Sequence, residues 1–255
     1  MIFRIRFAKY GVVKFIGHLD VMRYFQKAVR RSRLPIKYSQ GFNPHQLMVF
    51  ASPLGVGITS DGEYMDIETE DTDTDGRPMT EERASEVLSA ALTEGFEIVS
   101  CKRIPWIEGT KHPENAMALV QGADYMVSLK KECGFGFESV VSDFNGFISQ
   151  PEIIINKKTK SGEQLMNIKP FIYSACISDN DHCPEPFDAI GIRHADNYNP
   201  GLRFFLRLSA GSTANIKPEP VIEAFFDYSG REYVPLAFQT HRMQMYKDMD
   251  KILCL

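Results

Sequence analysis

Residues 2–38 run IFRIRFAKYGVVKFIGHLDVMRYFQKAVRRSRLPIKY, and a change of period inside this stretch decides the fold class. Ile2–Phe7 alternates apolar and basic residues in steps of two, as a strand does, with Ile2 or Phe3 leading and Arg4 and Arg6 on the opposite face. From Phe15 the spacing becomes helical, placing Phe15, Leu19, Met22, Phe25 or Gln26, and Val29 on one stripe. Pro35 ends that helix, because the residue before a proline is pushed out of the helical region.

Working outward, Ile36–Tyr38 and Gln46–Ser52 read as extended segments around a turn at Gly41, Asn43 and Pro44, and Glu63–Thr69 alternates again as a strand. Thr80, with Glu82 and Arg83, opens a second helix carrying Ala84, Val87, Leu88, Ala91 and Leu92. Gly95 stops it, and Phe96–Ile104 follows as a strand. The order strand, helix, strand, strand, helix, strand is that of a ferredoxin-like α+β unit, an antiparallel sheet with helices on one face.

After a turn-rich joint at Pro105–Gln121, the pattern repeats with lower contrast. Strands are expected at Asp124–Lys131, Glu152–Asn156, Gln164–Ile168, Leu202–Ser209 and Val234–Phe238, and helices at Phe137–Phe147 and Pro218–Phe226, with a hairpin through Lys160, Ser161 and Gly162. The expected organisation is two ferredoxin-like (βαββαβ) units in tandem. The first covers 1–108, the second 122–240 with a loop insertion near 178–200, and 241–255 is left as a C-terminal tail. A chain of 255 residues suits two cores better than one.

Net charge is −4, but its distribution is uneven. Residues 1–48 carry Arg4, Arg6, Lys9, Lys14, Arg23, Lys27, Arg30, Arg31, Arg33 and Lys37 against the single acid Asp20, whereas residues 61–97 are strongly acidic. Arg23, Lys27 and Arg30 or Arg31 share the helix face opposite the apolar stripe. Such a face is either a solvated surface paired with the acids of 61–97 or a track for a nucleic-acid backbone. Tyr24, Tyr38 and Phe42 lie close enough in sequence to offer stacking surfaces for single-stranded RNA.

Polar candidates gather beside that helix. His18 and Asp20 stand at its start, but two residues on a helix project about 200° apart, so a direct relay between them is not expected. Asp20 is explained by the helix dipole. His18 is a candidate acid or base, a phosphate donor or a cap, and His45 is a weaker catalytic candidate. The loop Ser39, Gly41, Phe42, Asn43, Pro44, His45 has turn chemistry that accounts for its Gly, Asn and Pro but not for its His. A core position is the commoner fate of a Phe such as Phe42. Late in the chain, Ser212, Thr213 and Asn215 precede a helix, so its backbone N–H groups and Lys217 form a second candidate anion site.

Several classes find no support. No apolar run reaches the ~18 residues of a membrane span, and MIFRIRFAKYG lacks a signal peptide's apolar region, so a cytoplasmic location is expected. Five scattered cysteines, Cys101, Cys133, Cys176, Cys183 and Cys254, read as reduced thiols. Cys176, His182, Cys183 and His194 match no known zinc spacing, so no metal and no cofactor is expected. Phosphate-loop, dinucleotide, zinc-protease and nucleophile-elbow motifs are missing.

The segment KFIGHLDVMRYFQKAVRRSRLPIKYSQGFNPH, continued by FASPLGVGITSDGEYMDIE and answered by GSTANIKPE and HRMQMY, resembles the radical SAM-linked protein family, a bacterial domain of unknown function. The motif positions are His18, Leu19, Asp20, Arg30, Arg31, Pro35, Ser39, Gly41, Phe42, Asn43, Pro44, Gly57, Ser60, Glu63 and Tyr64. Gly17 stands where a Ser is common and Gln46 where Pro or Lys is frequent. Members of that family stand alone or are fused behind a radical SAM protein, often near genes for an RNase E/G-type ribonuclease and ribosomal proteins. The resemblance therefore implies a radical SAM protein as partner and a setting in RNA or ribosome metabolism. The CxxxCxxC triplet of a radical SAM enzyme is missing, so that chemistry would belong to a separate chain. The leading expectation is a non-catalytic module that binds RNA or presents a substrate. The alternatives are a metal-independent ribonuclease resembling the tandem ferredoxin-like CRISPR RNA-processing nucleases, with His18 or His45 as acid/base, and a protein-only scaffold for the radical SAM partner.

Overall fold

The structure, a computed structural model, describes residues 1–106, 115–130, 137–159, 162–178, 183–187, 189–196, 198, 201–211 and 214–255. Its first half runs β1 (Ile2–Lys9), α1 (His18–Ser32), β2 (Met48–Phe50), β3 (Thr59–Glu68), α2 (Glu81–Ser89) and β4 (Phe96–Ile104). A short α3 (Ala116–Leu119) leads to β5 (Gly122–Leu129), α4 (Phe137–Ile148), the hairpin β6 (Ile154–Thr159) and β7 (Gly162–Asn167), then β8 (Ile172–Ser178), β9 (Arg203–Ser209), α5 (Pro218–Tyr228), β10 (Phe238–Asp248) and β11 (Leu253–Cys254). The chain is α+β, with one large, mostly antiparallel sheet in the order β4-β1-β3-β10-β5-β9-β8. β2 joins the far end of β3, β11 joins β10, and β6 with β7 forms a separate ribbon. Among the described residues no helix is long and apolar enough to cross a membrane.

Side-chain alternation explains the layers. Phe3, Ile5 and Phe7 of β1 stand opposite Ile67, Met65 and Glu63 of β3. The apolar members of this set pack with Val21, Phe25, Ala28 and Val29 of α1 and with Ala84 and Leu88 of α2. In the second half Phe204, Leu206 and Leu208 join a core with α4 and α5, while the intervening Phe205 points into a cluster with Met126, Cys183, Phe187 and Met243. The insertion around 183–196 therefore covers one face of the sheet, and its short 3-10 turn Ala189–Ile192 packs on β3 and β10.

Three expectations need correction. The buried stripe of α1 is Val21, Phe25, Ala28 and Val29, whereas Phe15 and Leu19 are each 65% exposed. The helix begins only at His18, after a separate 3-10 turn over Gly11–Phe15, so the stripe is set by the residues that meet β1. The strand Ile172–Ser178 falls in a stretch to which the sequence pattern assigns no element. Residues 241–248 are no tail: β10 runs between β3 and β5, with Gln239–Tyr246 buried on both sides. Alternating His, Arg, Met and Gln hides such a strand from a period search, because each polar side chain is buried by a specific partner rather than by apolarity.

The seam between the halves is the parallel contact of β3 with β10, where His241 meets Thr59 and Arg242 meets Ser60. Gly62 is required there, since a Cβ would stand 2.6 Å from the Gln244 backbone.

Candidate functional site

The start of α1 sits over this seam. Gly17 occupies the N-cap position without a side chain to cap, and His18 is the first helical residue, so His18 is not the cap. Its ring lies edge-on to Phe50 at 5.6 Å. Burial pushes the His18 imidazole below its ordinary range. Glu63 opposes that shift, and Arg242 and Lys9 reinforce it. Asp20 instead faces outward and pairs with Arg23 at 3.3 Å, so the two polar residues of the helix start are not brought together.

Beneath His18 is a buried ionic cluster. Arg242 grips Glu63 with both guanidinium nitrogens, Nε at 2.8 Å and Nη2 at 2.5 Å, and Nη2 also donates to the Ser52 carbonyl. Lys9, 1% exposed, sends its ammonium to the carbonyls of Ile16 at 3.1 Å and Lys14 at 3.4 Å. Burial lowers the pKa of Lys9, with Glu63 opposing and Arg242 assisting. Remote segments converge here: Gly57 N donates to Lys14 O, and Gln239 Nε2 donates to Gly57 O. Val12, Phe15, Leu19 and Val56 of these same segments stay exposed.

Further along α1 and at its C-cap, Arg23, Lys27, Arg30, Arg31 and Arg33 are all exposed. Arg31 is tied down, donating to Ala91 O at 2.9 Å and lying over the Tyr24 ring. Lys37 is drawn off by Glu68 at 3.1 Å, which raises its pKa through that hydrogen bond. Lys27, Arg30 and Arg33 make no ion pair among the described residues. The loop 39–45, called the signature loop for the motif positions it carries, stands beside this stripe, because Gln46 Nε2 reaches Gln26 O on α1. Ser39 closes the loop by accepting from His45 N at 3.0 Å and meeting its Nδ1 at 2.8 Å. His45 is thus a loop clasp, with Gly41 (φ 120°), Asn43 and Pro44 at the exposed tip. Phe42 at that tip is fully exposed rather than core, because a hairpin held by the Tyr38–Gln46 bridge carries it away from the sheet.

On the opposite face lies a cluster that sequence spacing does not assemble. Asp61 Oδ1 meets His194 Nδ1 at 2.5 Å and its Oδ2 accepts the His194 N–H at 2.8 Å. His194 Nε2 is 3.2 Å from Glu97, and Tyr10 stacks on the ring. The fully buried His241 donates from Nε2 to Gly191 O at 2.7 Å while its Nδ1 meets Thr59 Oγ1 at 2.8 Å. Burial opposes the charge of Asp61, but hydrogen bonds and attraction from His241, with the His194 bonds, hold its pKa below the usual value. With Lys14–Asp196 at 2.7 Å and Arg193–Glu97 at 2.8 Å, this cluster pins the insertion to the first half.

The second candidate anion site has a different character. Lys217 is the N-cap of α5 without a side-chain cap bond. It borders a cleft of about 680 Å³ that Glu152, Glu223 and Asp227 also line, so the surroundings oppose an anion. Ser212, Thr213, His182, Cys133, Lys160, Ser161 and the stretch 107–114 of the joint lie outside the described residues. Cys176 is a half-buried thiol whose pKa burial pushes up to about 11, and both ring nitrogens of His194 face carboxylates. Among the described residues no group of three or more His, Cys, Asp or Glu is placed to hold a metal ion.

Comparison with known proteins adds the following. No curated protein matches the chain. Among solved structures it is similar to a chain of the "Crystal Structure of a Cbf5-Nop10-Gar1 Complex", with 11% identity and a TM-score of 0.44. The similarity covers 95% of this chain and 48% of that one, so the chain spans about half the length of that neighbour. A family model described as "Uncharacterized protein conserved in bacteria (DUF2344)" matches residues 3–218, a span that holds α1, the signature loop and Glu63, and the chain belongs to that family.

Proposed function

We propose that this chain is a non-catalytic module that binds RNA, or presents a substrate in RNA or ribosome metabolism, beside a separately encoded radical SAM protein. The observation that carries the RNA part is the basic stripe of α1, where Lys27, Arg30 and Arg33 lack acidic partners among the described residues and stand next to a loop displaying Tyr38 and Phe42. Cations that track phosphates and aromatic faces that stack on bases are the two parts of single-strand recognition. The radical SAM partner rests on the sequence resemblance alone. The tandem ferredoxin-like organisation belongs to the same proposal. It is supported by the order β4-β1-β3-β2 in the first half and β10-β5-β9-β8 in the second, each strand antiparallel to its neighbour within the half.

Titrating single-stranded RNA against the wild type and the Arg23→Ala/Lys27→Ala/Arg30→Ala/Arg31→Ala variant at several salt concentrations tests the reading. The variant should bind more weakly, with a log–log salt slope flatter by about 0.7 for each phosphate it no longer neutralises. Identical curves, or no binding at low salt, would remove the RNA function.

One observation favours a ribonuclease as second reading: no hydrogen bond to His18's ring nitrogens is made among the described residues, and the ring lies within electrostatic reach of Lys9 and Arg242. Labelled RNA incubated with pure protein in EDTA separates the two. Cleavage that disappears in His18→Ala establishes the enzyme, and intact RNA retires it.

A further inference from the structure

We infer that the groove between β6 and α5 receives an extended segment of a partner protein, apolar residues alternating with Lys or Arg, laid as a third strand along β6. The groove belongs to the second half and does not depend on the RNA reading of α1.

β6 pairs with β7 and with no other described strand. Ile168 N donates to Ile153 O, and the register places Ile154 against Asn167 and Ile155 against Met166. In an antiparallel ladder hydrogen-bonded and outward-facing residues alternate, so Ile154 and Asn156 turn their N–H and C=O groups away from β7. No described residue bonds to those groups. An unpaired edge of this kind is a template for strand addition.

A cleft borders this edge. The cleft of about 680 Å³ lies within the ~300–1,000 Å³ of ordinary ligand sites. Phe147, Ile153, Ile216 and Ala224 give it an apolar floor. Glu152, Glu223 and Asp227 stand on its walls without an ion pair among the described residues, and Lys217 is the one cation among the described residues that line it; in the sequence of β6, Lys157 and Lys158 follow Asn156. Glu223 and Asp227 are one helical turn apart on α5, about 6 Å. Alternate side chains of an extended strand repeat at about 6.6 Å, so two lysines two positions apart match that spacing while the residues between them meet the apolar floor. The acidic walls choose a basic occupant over an anion, and the open edge chooses an extended backbone over a helix.

A fluorescein-labelled octapeptide of alternating Lys and Val is the probe, read by anisotropy against the whole chain. Saturable binding is expected, with no binding of the corresponding Glu/Val peptide. The variant Glu223→Lys/Asp227→Lys, at solvent-facing positions, should weaken binding by roughly tenfold or more. Against the wild-type chain, N-methylation of alternate peptide nitrogens should abolish binding, because strand addition needs those donors. Absence of saturation, equal binding of the acidic peptide, an unaffected double variant, or full binding of the N-methylated peptide would each overturn the proposal. So would complete displacement by spermidine at equal charge, which identifies a polyamine site instead.

Discussion

Arg242 and Glu63 come from opposite ends of the chain and meet as a bidentate pair in which neither side chain is more than 7% exposed. A charge left alone in such a place costs far more than the pair contributes, so Arg242→Ala should destabilise the fold by about 3–5 kcal/mol. Replacing both partners with apolar residues should cost markedly less. Urea midpoints of the single and double variants check both statements. His18 gives a pH signature. Because its folded-state pKa is depressed, the folded state resists a proton that the unfolded chain accepts below about 6.5. Its contribution is therefore complete above that pH and is lost as pH falls towards the folded-state value. The wild type should lose more stability between pH 7 and pH 5 than His18→Gln, and parallel curves would show that the ring titrates freely.

Among the elements, β1, α1, α2, β4, α4, β9 and α5 are legible in the sequence because apolar periodicity governs them. β8 and β10 are not: β8 is a half-buried edge strand, and β10 is buried between layers. Most of β10's buried residues are polar, and several are satisfied one by one: Arg242 by Glu63, His241 by Thr59, Gln244 by the hydroxyl of Tyr64 at 2.6 Å. The same limit applies to the site. The basic stripe and the turn of the signature loop follow from spacing and turn chemistry, but Lys9, Asp61, His194 and His241 gain their surroundings only when remote segments meet. The end of α1 yields a prediction of its own. Arg33 is held left-handed (φ 55°) at the C-cap, where a side chain costs about 1–2 kcal/mol and glycine is the usual occupant. Arg33→Gly should raise stability by up to about 1 kcal/mol, the gain being reduced by glycine's larger unfolded-state freedom. If Arg33 also touches RNA, the salt slope of binding falls by about 0.7 in the same variant. Thermal melts and salt titrations then report a structural and a functional effect of opposite sign.

For the whole molecule, what matters is how the two halves of the chain become one sheet. The backbone contact that joins them is short, the two parallel pairings of β10 with β3. Side chains reinforce it on both faces. Arg242–Glu63 lies on one side. On the other, Asp61 with His194 and His241, Lys14 with Asp196, and Arg6 Nη2 on Met243 O at 3.1 Å bind the first half to β10 and the insertion. Arg6, Asp61, Glu63 and Arg242 are charged groups buried at this seam, so opening it would strand several unpaired ions at once rather than expose them gradually. The halves should therefore unfold together, although each carries its own apolar core. Native-state hydrogen exchange gives the measurement: the most protected amides of β1 and of β9, on opposite sides of the seam, should open with the same free energy. Arg242→Ala should lower both by the same amount if the seam couples the cores. A loss confined to β3 and β10, with β9 unchanged, would mean that the second half stands alone and that the seam is a contact between independent units.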